Sequence, residues 1–481
     1  MKNRVFILGL AFVSLLMTGY ADAQSKTLMT LKQCIETGIA NNLNVKQSEL
    51  QAQTDKSNWT QARLSLLPNL FGSAGLTYNT GRSIDPFTNQ PVTQSFNSTN
   101  YQVTSNVVLF NGLAYQNFIK QTSLTYQASQ MDWQQQKDNL TINIILAYLQ
   151  VLTFEDQLTQ ANNQADYSKK QVERLQGMSQ QGAIKPSDLT DLQGQYNGDQ
   201  LTIINTQNSL ETAKITLCQL MNVPYNKELE IERIDIGTVA APYADTPDKI
   251  YQTALQQFAQ VKAVDLRAKS AAKAVQVQRG FLYPTLSFGA SVTTRYSSVA
   301  TQNQYINTTT DASSSYVDVN GTQYPVMVKQ DNYATSKIPY RDQLNNNLYT
   351  TYGFNLNIPF FNNWRQRTFL KQAKITYTLR DLTAKTTKTQ LNQAINQAYT
   401  NMVSASGRLT TLTEQVTAYG ESFRQAEIRF NEGVGTSIDY LLTKTRIDAA
   451  SISLINAKYD YILRMKILDY YEGKQIGRAH V

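Results

Sequence analysis

Residues 113–176 constrain the fold most, because this stretch of 64 residues contains neither glycine nor proline. As a single α-helix it would be roughly 100 Å long at about 1.5 Å per residue, several times the length of a typical globular helix. A strand-like segment lies immediately before it. The stretch therefore predicts a helix that starts at a β-structure and extends far beyond an ordinary domain.

The distal part of this stretch has the repeat of a coiled coil. Its apolar and small residues recur at alternating spacings of three and four, break at Gly182 and Pro186, and then resume with Asp199 and Thr206 as interruptions. The seam consists of Leu158, Ala161, Ala165, Ser168, Val172 and Leu175, followed by Leu189, Leu192, Tyr196, Ile203, Leu210, Ala213, Leu217 and Leu220. We therefore expect two antiparallel helices joined by a turn.

The composition suits a protein that faces water on some surfaces and lipid on others. The chain is 41% hydrophobic but only 17% charged, and uncharged polar residues make up the difference. Its 28 tyrosines suit the interfacial belts of membrane proteins. The net charge is +8, but Lys and Arg are scattered singly and form no dense patch. We therefore expect no nucleic-acid partner.

Residues 1–23 have the features of a secretory signal peptide. Lys2 and Arg4 precede an apolar run at 5–17, and small residues at 21–23 are typical of a cleavage site. No cysteine stands at that site to carry a lipid anchor, and no later run of about 18 apolar residues predicts a spanning helix. We expect an exported protein without a transmembrane helix.

Four segments alternate between apolar and polar residues, which predicts β-strands. Pro68 and Pro284 end the helices before the first and third of them. The predicted strands lie at about 69–79, 100–110, 285–296 and 347–358. Each has about ten residues, the length that a tilted strand needs to cross a membrane. One face of a soluble sandwich is the alternative.

The spacing of the strands favours a membrane. Two hairpins separated by more than 200 residues of helix cannot form a self-sufficient soluble sheet, and lipid excludes open sheet edges. Other copies of the chain must therefore close a transmembrane β-barrel, with eight strands from a dimer or twelve from a trimer. Composition does not decide between these two assemblies.

The second half of the chain repeats the first. Val45-Lys46 matches Val261-Lys262 at an offset of 216, and Ala147-Tyr148 matches Ala398-Tyr399 at an offset of 251. The difference of 35 residues predicts an insertion between the third and fourth strands, where residues 297–347 are polar. We expect a larger loop there.

These matches divide the chain into five parts. The signal peptide is followed by a first structural repeat at 24–221, an irregular connector at 222–249 and a second repeat at 250–472. The tail at 473–481 looks like a translated sequencing adapter, and we assign it no function. Each repeat has the order helix, strand, strand, helix, helix.

Two cysteines, Cys34 and Cys218, lie near the two ends of the first repeat. An oxidising compartment would permit a disulfide between them. Unpaired and partly buried thiols are the alternative that we favour, since a chain of this length does not need a covalent link.

Together these features resemble the TolC family of outer-membrane efflux proteins, over nearly the whole mature chain. Residues Gly433 to Leu441 look like that family's periplasmic helix turn, and Pro359 to Asn362 look like its strand-to-helix signature. The resemblance implies a homotrimer with a 12-stranded β-barrel in the outer membrane of a Gram-negative bacterium. It also implies a long α-helical coiled-coil barrel across the periplasm, joined to an adaptor protein and an inner-membrane pump.

The resemblance also implies a gate at the inner end. By position, Asp439 falls on an aspartate that rings the aperture, and Asp188 is its counterpart in the first repeat. The chain departs from the family where Leu442 replaces a second aspartate and Gly435 replaces an arginine latch. Asp191 is a candidate for the missing ring, and its alternative is a solvated carboxylate at the start of a returning helix. The turns would contact the adaptor at Gly182, Gly433, Gly435 and Tyr440.

Enzymatic chemistry finds little support in the residues. The only histidine is His480, and no metal site or catalytic triad presents itself. Gly433 and Gly435 lack the preceding strand and the third glycine of a dinucleotide site. We therefore predict no enzyme, cofactor or metal, and a passive exit duct for small molecules. The alternatives are a type I protein-secretion duct and, in a different class, a structural or adhesive trimeric coiled coil.

Overall fold

The computed structural model describes residues 28–85, 89–234 and 243–474. The predicted signal peptide, part of the connector and most of the tail lie outside these ranges. The chain divides into two compact units. One contains the described residues of Met1–Asp55, Leu124–Ala268 and Leu379–Val481, and the other contains those of Lys56–Ser123 and Lys269–Thr378.

The described residues form nine helices and ten strands. The helices are α1 Leu31–Asn41, α2 Leu43–Leu64, α3 Ala114–Gln180, α4 Pro186–Met221, α5 Pro247–Gln257, α6 Ala259–Gly280, α7 Tyr340–Asn346, α8 Arg365–Asn431 and α9 Ser437–Tyr471. The strands are β1 Leu28–Met29, β2 Phe71–Asn79, β3 Ser83–Ile84, β4 Pro91–Val92, β5 Phe96–Phe110, β6 Glu230–Ile231, β7 Thr285–Ser297, β8 Thr301–Val319, β9 Thr322–Lys337 and β10 Tyr349–Asn357.

Helices α3 and α8 are the longest, at 67 residues each. The predicted seam of α3 is buried at Ala161, Ala165 and Val172, as the coiled-coil spacing requires. None of the described helices has both the length and the hydropathy to span a membrane. The long helices therefore owe their stability to side-chain packing along a seam.

The first unit has its main core where α1, α3 and α4 meet. Ile144 and Leu217 are fully buried there, and the Tyr148 hydroxyl donates a hydrogen bond of 2.5 Å to the Glu232 carbonyl. Strand β6 lies within the predicted irregular connector, and it pairs in parallel with β1. The connector is therefore anchored to the start of the first repeat.

Cys34 and Cys218 are both buried in this core as free thiols. Burial, together with the nearby Cys218, raises the pKa of the Cys34 thiol to about 12. The structure thus contains the unpaired alternative.

The predicted helix at 31–65 is two helices, because Asn42 breaks it in an extended conformation. The Asn42 side chain accepts a hydrogen bond of 2.9 Å from the Asn44 amide and donates one of 3.1 Å to the Leu220 carbonyl. Asparagine competes with the helix in this way through local side-chain bonds. Phe258 makes the same break 216 residues later, between α5 and α6.

A second backbone feature recurs where each repeat passes from strand to helix. Gly112 and Leu113 both have positive φ angles, and so do Asn363 and Trp364 at an offset of 251. In each repeat the first helical amide then bonds to the carbonyl three residues earlier. The left-handed region costs a non-glycine residue roughly 1–2 kcal/mol. The same strained turn therefore connects strand to helix in both repeats.

The second unit contains one antiparallel sheet with the order β10-β7-β5-β2. Strand β5 of the first repeat pairs with β7 of the second, so Tyr101 lies opposite Thr294. This pairing joins the two hairpins. The outer strands β2 and β10 are exposed along almost their whole length and each lacks a neighbour on one side among the described residues. The sheet therefore has two open edges.

The predicted polar loop at 297–347 is instead an ordered hairpin, β8–β9, followed by the short helix α7. Its turn is Asn320-Gly321, with φ angles of 59° and 83°. Two consecutive left-handed residues suit the type I′ turn, whose twist matches the flanking strands. The Asn-Gly pair was the available sequence signal for this hairpin.

Gly112 and Gly280 bring the start of α3 against the end of α6. A side chain at Gly112 would overlap the Gly280 carbonyl oxygen and lie 2.9 Å from the Tyr283 Cβ atom. Glycine is therefore required at this position both for its φ angle and for space.

We expect Gly112→Ala to destabilise the protein more than Gly182→Ala does. Both residues have similar positive φ angles, but the space around Gly182 is open. Gly182→Ala therefore pays only the backbone strain of roughly 1–2 kcal/mol, whereas Gly112→Ala must also displace the Gly280 backbone. Thermal unfolding followed by circular dichroism measures the difference, and equal losses would contradict the close approach.

Candidate functional site

The first helix turn joins α3 to α4. Gly182 has a φ of +70°, its amide bonds to the Ser179 carbonyl at 3.0 Å, and the Ala183 amide bonds to the Met178 carbonyl at 3.0 Å. These two bonds form a Schellman motif, which needs a left-handed residue at the position of the glycine. Pro186 then begins α4 at its first turn, where a missing amide costs nothing.

The second turn, between α8 and α9, repeats this arrangement. Gly433 has a φ of +74°, and the Val434 amide bonds to the Arg429 carbonyl at 3.0 Å. At Gly435 a Cβ atom would lie only 3.0 Å from the Phe430 backbone nitrogen. The two glycines thus serve different purposes, left-handed geometry at the first and close approach at the second.

Asp439 takes part in the start of α9. The Thr436 side chain accepts a hydrogen bond of 3.1 Å from the Asp439 amide and donates one of 3.0 Å to its carboxylate. This is a cap with a carboxylate in the first helical turn, where the helix dipole favours negative charge. The Asp439 side chain remains exposed to solvent.

Asp188 and Asp191 contact the other turn. The buried Ser437 hydroxyl lies 2.8 Å from the Asp188 carboxylate and 3.4 Å from that of Asp191. The structure therefore brings both first-repeat aspartates to the base of α9, whereas Asp439 of the second repeat bonds within its own turn. The candidate residues of the two repeats are close together but not equivalent in their bonding.

Tyr440 is fully buried beneath these turns. Its ring stacks on Phe430 at 5.0 Å and packs beside Phe423 at 5.5 Å. Its hydroxyl has no hydrogen-bond partner among the described residues. Burial, and then the carboxylates of Glu427 and Asp448, raise the pKa of that hydroxyl. Tyr440 therefore packs the two turns together, and its side chain is not available on the surface to an adaptor.

Arg174 adds a further link between the arms. Its guanidinium donates to the Asn431 side chain and, at 2.9 Å, to the Asn431 carbonyl. A cation at the last carbonyls of α8 also complements the negative end of the helix dipole. Nothing in the local sequence marks Arg174 for this role, because its partner is 257 residues away in the chain.

A buried ionic layer lies one to two helical turns beyond Tyr440. The Lys444 ammonium is 2% exposed and lies 3.3 Å from the Asp199 carboxylate and 2.6 Å from that of Asp448. Asp199 also accepts hydrogen bonds from Ser168 at 2.5 Å and Gln195 at 2.8 Å. Asp199 is the predicted interruption of the seam, and the structure shows that a lysine from α9 compensates for it.

The electrostatics of this layer depend on Lys444. Burial raises the pKa of Asp448, the positive charge of Lys444 lowers it again, and the Asp199 carboxylate raises it. Removing one partner of a buried ion pair leaves an uncompensated charge and costs more than the pair contributes. Lys444 therefore holds α3, α4 and α9 in one register.

The remaining predicted residues lie before the strands. Pro68 is three residues before β2, and Pro284 directly precedes β7. Within residues 28–85, 89–234 and 243–474, no three His, Cys, Asp or Glu side chains are arranged to hold a metal ion.

Solved structures share this fold. CusC, a protein described as forming a transmembrane channel, superimposes with a TM-score of 0.75 at 13% identity, over 92% of each chain. The outer membrane protein VceC from Vibrio cholerae gives a TM-score of 0.73 at 14% identity, over 93% of this chain and 96% of its own. The chain therefore shares the fold of these two proteins.

The sequence comparisons identify the family. Outer membrane protein TolC from Vibrio cholerae is 22% identical over 84% of this chain and 81% of its own length. The family described as outer membrane efflux protein matches residues 34–223 and 250–468. The chain therefore belongs to that family, which confirms the resemblance drawn from the motifs. It is an outer-membrane exit duct for efflux with a periplasmic helical tunnel.

We expect Lys444→Met to destabilise the protein by about 3–5 kcal/mol, because it leaves buried carboxylates without a cation. The pKa of Asp448 would then rise further, so its proton stabilises the folded variant at low pH. The loss should therefore grow as the pH rises above about 4, where Asp448 ionises in the unfolded chain but stays protonated in the folded variant.

Chemical denaturation at several pH values measures this effect. Lys169→Met is the matched control, because it removes the same charge from an exposed position on α3. If Lys444→Met changed the free energy of unfolding only slightly, independently of pH and as little as the control does, the ionic layer would contribute no net stability.

Proposed function

We propose that three copies of the chain form a passive outer-membrane duct with a 12-stranded β-barrel. The observation that carries this proposal is the four-stranded sheet with open, exposed edges at β2 and β10. Each unpaired backbone group costs several kcal/mol in hydrocarbon, so membrane strands must form a closed barrel. Pairing β2 of one copy with β10 of the next removes every edge.

The number of copies follows from the need for a passage. Eight strands from a dimer enclose an interior that side chains fill or that holds one small ligand. Twelve strands enclose a wider lumen, since barrel diameter grows roughly linearly with strand number. A trimer is therefore the smallest closed assembly suited to an open duct.

The same three copies supply the tunnel. Each chain has four long helices, α3, α4, α8 and α9, so a trimer provides twelve. Their turns would face the inner end, where a periplasmic adaptor and an inner-membrane pump deliver small molecules to be exported. The family description as efflux proteins supports this assignment. The duct itself needs no cofactor for a passive role.

The trimer is tested by the mass of the full-length protein extracted in mild detergent. Native mass spectrometry, corrected for bound detergent and lipid, should give three mature chains, and the denatured sample should give one. A dimer or a stable monomer would contradict the 12-stranded barrel, even if the protein remained in the membrane fraction.

The aspartates at the turns would form the gate of this duct. Asp439 is exposed at the start of α9, and Asp188 lies beside Ser437 at the base of the same helix. In a trimer, three copies of each carboxylate would converge on one axis. Like charges that converge repel one another and attract cations. Such rings would favour cation entry, and adaptor contact at the adjacent glycines would spread them.

We expect Asp439→Asn to keep the fold and reduce cation selectivity, since asparagine preserves the size of the side chain while the Thr436 cap remains. The change should reach roughly tenfold at low salt and shrink near 1 M, where charge is screened over about 3 Å. Single-channel recordings measure selectivity and divalent block for Asp439→Asn and Asp188→Asn, alone and together.

The control is Asp166→Asn, which removes the same charge from an exposed position on α3 away from the turns. Conductance, selectivity and divalent block that stay unchanged in all the turn variants would place the aperture elsewhere in the tunnel.

A further inference from the structure

The hairpin β8–β9 has an exposed surface that the described part of the chain does not cover. Its strands have 19 and 16 residues, pair only with each other in the described sheets, and are exposed on both faces. An isolated two-stranded hairpin is marginally stable at best in water. A hairpin of this length therefore needs a further surface to pack against.

The base of the hairpin is held firmly on the sheet. The buried Gln343 side chain of α7 accepts a hydrogen bond of 2.9 Å from the Ser297 amide and donates to the carbonyls of Ser297 at 3.0 Å and Ile338 at 2.9 Å. The Ile338 amide bonds to the Ala300 carbonyl at 3.1 Å. Every copy therefore presents its hairpin in the same direction from its sheet.

Helix α7 strengthens this anchor with aromatic contacts. The Tyr340 ring packs edge-on against Tyr296 at 4.8 Å, and its hydroxyl lies 2.9 Å from that of Tyr101. These bonds connect the hairpin base to both β7 and β5. The base of the hairpin is therefore held in a fixed position on the sheet.

One face of the distal half is apolar. The register places Val317 opposite Tyr324 and Val319 opposite Thr322, so these side chains share a face. Alternation along β9 adds Val326 to it, whereas Val328 farther along the strand lies opposite the charged Asp311. The apolar residues of this face are Val317, Val319, Tyr324 and Val326, with exposures between 36% and 57%. The other face mixes apolar side chains with Asp318, Gln323 and Lys329.

The charge distribution favours a second copy of the chain as the occupant. Only five residues of 301–337 are charged, three acidic and two basic. Exposed strands that must avoid one another usually carry charges or prolines at their edges, and this hairpin carries few. An uncharged apolar face is complementary to its own equivalent. A partner that binds through ion pairs would have few charged side chains to contact on this hairpin.

The position of the hairpin favours the same occupant. Its chain continues through α7 into β10, the open edge strand at which copies would meet. On the basis of the proposed trimer, we infer that the β8–β9 hairpins of neighbouring copies pack against each other through the face of Val317, Val319, Tyr324 and Val326. The copies are then joined at a second place besides the sheet edges.

Site-directed crosslinking in the full-length, detergent-extracted protein tests this contact. Val326→Cys places a thiol on the apolar face, and Lys329→Cys places one on the opposite face as the matched control. The native Cys34 and Cys218 are buried, so the unsubstituted protein gives the background. A short bifunctional maleimide is added, and dimers are counted on denaturing gels.

Val326→Cys should yield covalent dimers up to about two-thirds of the chains, because three thiols around one axis form one pair per trimer. Lys329→Cys should yield little above the background. The mass of each variant before crosslinking distinguishes failure of the proposed trimer from failure of the hairpin contact. A trimer whose Val326→Cys thiols do not crosslink overturns the hairpin contact and leaves the duct intact, whereas a monomer overturns both.

Two other results would also overturn the contact. Equal crosslinking from both faces would indicate random collisions between exposed loops. Crosslinking of Val326→Cys to a different polypeptide would show that another protein covers the face.

Discussion

The architecture depends on the pairing of backbone hydrogen bonds at sheet edges. A four-stranded sheet leaves the outer amides and carbonyls of β2 and β10 without partners among the described residues, and hydrocarbon offers no water to satisfy them. Duplication of the repeat explains why the sheet reaches four strands, since β5 and β7 come from different repeats and pair with each other. The edges at β2 and β10 stay open within the described part of the chain, and these are the edges that the proposed trimer would close.

The helical unit must meet a different requirement. Its long, weakly apolar helices have to pack in one register. Leucine and alanine seams permit sliding by a heptad, but the layer of Lys444, Asp199 and Asp448 fits in only one alignment. The two turns add Ser437 and the stacked ring of Tyr440 nearby. Apolar contacts alone would permit several registers of the long helices. The ionic layer and the packing at the turns together select one of them.

Features with a local cause were predictable from the sequence. The absence of glycine and proline predicted the length of α3, and the glycines predicted both turns, because helix propensity and left-handed backbone are properties of nearby residues. The layer around Lys444 was missed because Lys444 and Asp199 are 245 residues apart in the sequence. The hairpin β8–β9 was missed because neither face packs on the described part of the chain, so its strands lack the strict apolar alternation of β2, β5, β7 and β10. The roles of Asp188, Asp191 and Asp439 in a gate stay a prediction.

The paired left-handed residues between strand and helix have a mechanical consequence. Gly112-Leu113 and Asn363-Trp364 hold conformations that few side chains adopt, and such conformations persist only where the surroundings over-determine them. Corners of this kind resist rotation, so they act as stiff elbows and not as hinges. Any bending of α3 or α8 must then occur along the helices and not where they leave their strands.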